Sequence, residues 1–182
     1  KFVETATFFL FATFSLGYMV KNGFARTDAL NVILIAAIAC VPAMLFYGSL
    51  SDRIGRKKLF VIGTVLSILY YYPFFWMLDQ KSFWLAAFAT SFGFAALWST
   101  YGSILGTFFA ESFPAEVRYT GVSLGYQVGA ALVGGPMPLI ATALIASYQS
   151  VTPVVIFLGL CGVVSLIAMA FTQDRTGEDL DA

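Results

Sequence analysis

Residues 29–78 read ALNVILIAAIACVPAMLFYGSLSDRIGRKKLFVIGTVLSILYYYPFFWML, and this stretch decides the fold class. Two apolar runs, 29–48 and 59–78, flank a short polar loop that contains five charged side chains. A helix needs about 20 mostly apolar residues to cross the hydrocarbon core of a bilayer. Each run therefore predicts one transmembrane helix, and the loop is expected at the membrane surface.

The same alternation extends over the whole chain of 182 residues. The composition is 59% hydrophobic and 11% charged, whereas a soluble domain averages about 45–50% apolar residues and about 25% charged residues. The apolar runs cover 3–21, 29–48, 59–78, 83–108, 119–146 and 153–172. The sequence therefore predicts an all-α integral membrane protein with six transmembrane helices, followed by a short tail, 173–182.

Several classes of function are excluded by what the chain does not contain. Ten basic and ten acidic residues cancel, so nothing favours nucleic acid as a partner. There is no His, and both Cys lie inside apolar runs, so neither a metal site nor a cofactor is predicted. Residues 121–125 fit the G-x-S-x-G pattern of hydrolases, but that motif needs a His partner. We therefore expect no enzyme.

The orientation follows from the basic residues in the short loops, which concentrate on the cytoplasmic side of membrane proteins. One side has Lys1, Arg53, Arg56, Lys57, Lys58, Arg118 and Arg175, whereas the other has Lys21, Arg26 and Lys81. This asymmetry predicts that both termini are cytoplasmic.

The loop between the second and third runs has a spacing that orientation alone does not explain. Gly48 would let a neighbouring helix approach closely, and Asp52 can face the positive N-terminus of an adjacent helix. Gly55 supplies a turn without steric cost, and the basic cluster can pair with carboxylates or lipid headgroups. The candidate residues of this loop are Gly48, Asp52, Arg53, Gly55, Arg56 and Lys57.

A second polar segment joins the fourth and fifth runs and reads Glu111-Ser112-Phe113-Pro114-Ala115-Glu116-Val117-Arg118-Tyr119-Thr120-Gly121. Pro114 is expected to end the fourth helix, because proline has no backbone N–H with which to continue it. Glu111 and Arg118 join the candidate residues.

Both segments resemble signatures of the major facilitator superfamily. The first matches G-x-x-x-D-R-x-G-R-[RK]-[RK] at every defined position, and the other is similar to the E-x-F-P-x-x-x-R-x-T-G loop of a facilitator half. The chain is most similar to the metabolite:proton symporter branch, which includes transporters of shikimate, α-ketoglutarate, citrate and proline or betaine. In the tail, Gln173 and Asp174 replace the Pro-Glu that is usual after the last helix of a facilitator.

The resemblance implies that the six spans are one half of a twelve-helix transporter, paired with an N-terminal six-helix half. Two such halves rock about a central site to give alternating access. The resemblance also implies that Asp52 and Arg53 belong to an inner gate that locks one conformation. We expect Arg53 or Arg56 to pair with Glu111, and Asp52 to meet a helix N-terminus of the other half.

Small residues run along the fifth span and then interrupt it. Gly121, Gly125 and Gly129 recur every four positions, a pattern that membrane helices use for close contact. The interruption follows at Gly134, Gly135 and Pro136. It is either a proline kink with tight packing or a hinge beside the path of a solute.

Polar side chains near the middle of two spans are candidates for lining such a path. They are Trp98 and Tyr101 in the fourth span and Tyr126 and Gln127 in the fifth. The alternative is that these aromatic residues fill gaps in the packing. No ionisable residue is expected in the interior of the membrane. Either the protein is a facilitator with no proton step, or the proton-coupling carboxylates lie in the other half, and the resemblance to the symporter branch favours the second.

These observations favour secondary active transport of a small organic solute, an organic acid or a zwitterion, across the cytoplasmic membrane, with proton symport implied. Because residue 1 is Lys rather than Met, we expect the chain to be a piece of a longer protein. One alternative is a stand-alone six-helix half that pairs with itself through the fifth span. Another is a membrane scaffold or sensor that does not transport, although the intact loop motif disfavours it.

Overall fold

A computed structural model of the chain describes residues 1–114 and 116–172, and every regular element in these ranges is helical. Six helices are long and apolar enough to cross a membrane, which confirms the predicted number of spans. They are α1 (Phe2–Lys21), α2 (Arg26–Ile54), α3 (Arg56–Asp79), α4 (Phe83–Ser112), α5 (Arg118–Tyr148) and α6 (Thr152–Ala170). The tail predicted at 173–182 lies outside the described residues.

The helices extend beyond the apolar runs that predicted them. The clearest case is α2, which covers Arg26–Ile54 where the apolar run is 29–48. An apolar run marks only the hydrocarbon layer, whereas the hydrogen bonds of a helix continue into the headgroup region, where charged side chains are solvated. The end of α2 is fixed by Gly55, whose φ of 95° suits glycine because it has no Cβ.

Helices α1 and α4 form the interior of the bundle. In each, half or more of the residues in the most apolar window are buried, and α1 contacts α2, α4, α5 and α6. The peripheral helices expose large apolar side chains instead, among them Leu45, Leu69, Leu139 and Leu160. An apolar outer surface of this kind is what acyl chains solvate.

Close approach of α3 to its neighbours depends on glycine. A Cβ added to Gly63 would collide with the side chain of Thr100 on α4. A Cβ added to Gly162 of α6 would lie 2.7 Å from Ile68 of α3. Without a hydrophobic driving force between helices in lipid, such contacts supply the van der Waals packing that holds a bundle together.

Three of the helices contain π-helical turns, at Leu10–Phe14, Gly93–Trp98 and Ala130–Gly134. The third ends at Gly134, where the interruption predicted in α5 begins, and the helix resumes at Met137. A Cβ on Gly134 would lie 2.5 Å from Thr5 and 2.8 Å from Phe9. The interruption is therefore a tight contact between α5 and α1, and its role as a hinge stays a prediction.

Hydrogen bonds between buried side chains join the inner helices. The hydroxyls of Thr7 and Tyr71 are 2.6 Å apart, and those of Ser67 and Tyr101 are 3.1 Å apart. Such bonds between membrane helices contribute about 0.6 kcal/mol each on average. They link α1 to α3 and α3 to α4.

Substitution of Gly63 by Ala is expected to destabilise the bundle by about 1–3 kcal/mol, because the new methyl group must separate α3 from α4. The thermal unfolding midpoint of the purified protein in detergent measures this loss. Gly159→Ala is the matched control, since a Cβ there meets nothing within 4 Å. Equal midpoints for the two variants would contradict the close contact.

Candidate functional site

Arg56 and Glu111 form an ion pair at one end of the bundle, which we call the Arg56 end. Nη1 of Arg56 contacts Oε1 of Glu111, and the two side chains are only 12% and 11% exposed. The pair joins the first turn of α3 to the last turn of α4. Of the two arginines expected as partners of Glu111, the one that pairs with it is Arg56.

Each member of this pair has the charge that its own helix end disfavours. The N-terminus of a helix carries partial positive charge and the C-terminus partial negative charge, yet Arg56 begins α3 and Glu111 is next to the last residue of α4. The ion pair neutralises both unfavourable charges at once. Removing one partner of a buried pair typically costs about 3–5 kcal/mol, because the other charge is left uncompensated.

Asp52 extends this ion pair toward solvent. Its Oδ1 accepts a hydrogen bond from Nη2 of Arg56 at 3.1 Å, and its side chain is 64% exposed. A Cβ on Gly48 would meet nothing within 4 Å, so the close helix approach that we expected there is not made within the described residues. This part of the Arg56 end therefore has an open surface, formed by Gly48, Asp52 and the exposed Arg53.

Lys57 attaches α6 to the same end. Its Nζ donates hydrogen bonds to the main-chain oxygens of Ala170, at 3.4 Å, and Thr172, at 2.7 Å. These oxygens lie at the C-terminus of α6, where carbonyls have no partner in the helix and the dipole attracts a cation. In the loop after α4, Nε of Arg118 donates to the main-chain oxygen of Phe113 at 3.3 Å, which holds the start of α5.

A second ion pair, between Lys1 and Glu4, was missed by the sequence analysis. Nζ of Lys1 lies 2.5 Å from Oε2 of Glu4, and each side chain is 11% exposed. Nε1 of Trp98 donates a hydrogen bond to the main-chain oxygen of Glu4 at 3.1 Å. The available signal was the spacing of three between opposite charges, which lets them meet on one helix face.

The register of the helices places this pair well inside the bundle. At the end opposite to Arg56, the Tyr18 hydroxyl donates a hydrogen bond to Asp79, the last residue of α3. Glu4 precedes Tyr18 by about 21 Å of helix, whereas Arg56 precedes Asp79 by about 35 Å. Glu4 therefore lies roughly 14 Å inward from the Arg56 end of the bundle. The expectation of no ionisable group in the interior of the membrane stays a prediction.

Two of the predicted path residues, Trp98 and Tyr126, lie beside Lys1 and Glu4. Nζ of Lys1 is 3.9 Å from the centroid of the Tyr126 ring, which is a cation–π contact. Tyr101 is instead a core residue of this structure, fully buried and hydrogen-bonded to Ser67. Gln127 is exposed on α5.

The three glycines of α5 differ in what they face. A Cβ on Gly121 would lie 2.7 Å from Phe113, and a Cβ on Gly129 would collide with the Lys1 side chain. At Gly125 the nearest atom would be 3.6 Å away, an ordinary van der Waals distance. Close packing thus occurs at the first and third of these positions, and the third accommodates the stem of Lys1.

Comparison with known proteins gives matches over nearly the whole chain. A family model of the Major Facilitator Superfamily matches residues 2–181. The shikimate transporter of Escherichia coli strain K12 is 32% identical over 81% of this chain and 34% of its own length. The citrate-proton symporter of Klebsiella pneumoniae is 32% identical over 66% of this chain and 27% of its own length. The alpha-ketoglutarate permease of Escherichia coli strain K12 is 32% identical over 75% of this chain and 32% of its own length.

The matched region amounts to about a third of the length of these curated relatives. No solved structure gave a significant match.

Glu111→Gln is expected to lower the free energy of unfolding by about 3–5 kcal/mol, because the buried Arg56 loses its counter-charge at a helix N-terminus. Thermal unfolding of the purified protein in detergent measures the effect. Glu116→Gln, in the exposed loop after α4, is the matched control. Equal losses of unfolding free energy in the two variants would contradict the buried pair. The double variant Arg56→Met with Glu111→Met should recover most of the stability that Glu111→Gln loses.

Proposed function

This chain belongs to the Major Facilitator Superfamily, and from that membership we propose that the protein containing it carries a small organic solute across the cytoplasmic membrane by proton symport. The family and the named relatives are transporters, so the chain is not an enzyme. The observation that carries the proposal is the similarity to carriers named for shikimate, citrate and alpha-ketoglutarate. All three solutes contain a carboxylate, so an organic acid or a related zwitterion is the proposed substrate.

The proposed mechanism is alternating access between this six-helix bundle and a second six-helix half. The relatives are about three times as long as the matched region, which supports such a partner. The open surface at Gly48, Asp52 and Arg53 is where the partner half would close the Arg56 end. The excess of basic residues in the loops at this end supports the proposal that this end and both termini face the cytoplasm.

In this mechanism the Arg56 end is an inner gate. Arg56 is held between Glu111 and Asp52, which keeps the start of α3 and the end of α4 together. The exposed carboxylate of Asp52 remains able to meet a helix N-terminus of the partner half. The gate closes when that contact forms and opens when it breaks.

A self-pairing half that uses the glycines of α5 is the second candidate architecture. Two of those glycines already pack within the chain, at Phe113 and at Lys1, which leaves Gly125 as the position with ordinary contacts. The intact mass of the gene product in its native membrane separates the two architectures. A mass near 19.8 kDa would support self-pairing, and a mass of at least twice that value would support a fused partner half.

We expect the complete transporter, reconstituted in proteoliposomes, to accumulate at least one of labelled shikimate, citrate, α-ketoglutarate or betaine when the outside is acidic. Symport predicts roughly tenfold more accumulation with a pH gradient of one unit than without it, and its loss on addition of a protonophore. Uptake that does not depend on the pH gradient would indicate facilitated diffusion instead of symport. If none of the four solutes is taken up, the proposed substrate class is wrong.

Asp52→Asn is expected to weaken the closed inner gate, because the amide cannot hold the charge-assisted contacts of the carboxylate. A cysteine introduced as Ser49→Cys, on an exposed position beside the gate, reports the change as a severalfold faster reaction with a maleimide. The two native cysteines are buried and give little background. Asp28→Asn, at the opposite end of α2, is the matched control, and the gate would be excluded by an unchanged labelling rate together with an unchanged rate of solute exchange.

A further inference from the structure

Helix α3 has one face that is exposed along its whole length in the part of the chain that the structure describes. The exposed side chains follow one another at intervals of three or four residues, so they lie on one side of the helix. The opposite side is buried against α4 and α6. The exposed set, which we call the α3 row, consists of Lys58, Ile62, Val65, Leu69, Tyr72 and Trp76.

A groove of about 530 Å³ lies at the Arg56 end of this face, where the α3 row begins. It is lined by Lys57, Lys58, Val61 and Ile62. Nζ of Lys57 is held by main-chain oxygens at the end of α6, whereas Lys58 is exposed. No carboxylate of the described residues forms an ion pair with either lysine. The groove therefore combines two positive charges with an apolar wall.

The groove faces away from the surface that the partner half is proposed to close. Successive residues of an α-helix are rotated by about 100°, so Lys58 points roughly 160° away from Arg56. Arg56 itself points toward Glu111 and Asp52, at the proposed gate. A partner half seated on the gate leaves the opposite side of α3 in contact with the bilayer.

The dimensions of this face fit one phospholipid molecule. From Lys58 to Leu69 the helix rises about 16 Å, and one leaflet of the hydrocarbon core is about 15 Å thick. A phosphate beside Lys58 therefore places an acyl chain along Ile62 and Leu69. The lysine stems are apolar and can lie along the glycerol region while their ammonium groups stay at the level of the headgroups.

We propose that this groove binds an anionic phospholipid of the surrounding bilayer, with its phosphate between Lys57 and Lys58 and an acyl chain along the α3 row. A headgroup with a net negative charge is favoured over a zwitterionic one by about fivefold for each lysine near the membrane surface. The inference goes beyond the proposed function, because it requires neither a particular solute nor coupling to protons.

The test is the quenching of a tryptophan reporter by phospholipids that carry bromine on their acyl chains. Leu66→Trp places the reporter on the exposed side of α3, two turns from Lys58, at a position that is 47% exposed. The complete transporter with this reporter is reconstituted with either brominated phosphatidylglycerol or brominated phosphatidylcholine, at equal mole fractions. The emission of the transporter without the reporter is subtracted to remove the signal of the native tryptophans.

Quenching should show a clear preference of the groove for phosphatidylglycerol, about fivefold for each of the two lysines. Lys58→Gln should lower this preference about fivefold, and Lys57→Gln combined with Lys58→Gln should abolish it. Lys58 forms no hydrogen bond within the described residues, so its substitution should leave the fold intact. The single variant therefore decides the test if the double variant does not fold.

Two matched controls separate the groove from the rest of the surface. Lys81→Gln, at an exposed position in the loop after α3, should leave the preference of the Leu66→Trp reporter unchanged. Leu160→Trp, in the middle of α6 at a position that is 59% exposed, is the control reporter. It should be quenched equally by the two lipids.

The inference would be overturned by equal quenching at Leu66→Trp, or by a preference that persists in Lys58→Gln. A reporter that neither lipid quenches would also overturn it, because protein rather than lipid would then cover the face. A preference that appears only after removal of 173–182 would show that the acidic side chains of this tail occupy the lysines instead. None of these outcomes affects the proposed function, which is measured separately by solute uptake.

Discussion

Charged side chains are stable inside this bundle only where they are paired, and the arrangement of its helices follows from that constraint. Helix α3 begins with three consecutive cations, Arg56, Lys57 and Lys58, at an end where the helix dipole is already positive. Glu111 compensates the first, and the carbonyls at the end of α6 accept hydrogen bonds from the second. The start of α3 is therefore joined to α4 and to α6.

The same constraint acts deeper in the bundle, where α1 carries both members of an ion pair. Helix α4 connects the two charged regions, since Trp98 bonds to the main chain of Glu4 and Glu111 bonds to Arg56. A π-helical turn ends at Trp98, and such turns are frequent at functional sites. A tilt of α4 would change the contacts of the interior pair and of the Arg56 end together, which gives the two regions a physical link.

Much of this architecture is encoded locally. Six apolar runs fix six helices, because any segment that crosses lipid must satisfy its own backbone hydrogen bonds. Gly55 could be assigned to a turn from its position between charged residues, and its positive φ agrees. The interruption of α5 was also visible, because Gly134, Gly135 and Pro136 combine the residues that weaken a helix.

The sequence by itself therefore determined the number of helices, the charged loops and the family resemblance, all of which depend on neighbours along the chain. The tertiary structure alone decided that Arg56 pairs with Glu111, that Tyr101 is buried, and that Glu4 is buried beside Lys1. These features depend on the rotation and register of one helix against another. Both are set by contacts between residues far apart in sequence, such as Gly63 with Thr100, and hydropathy contains no information about them.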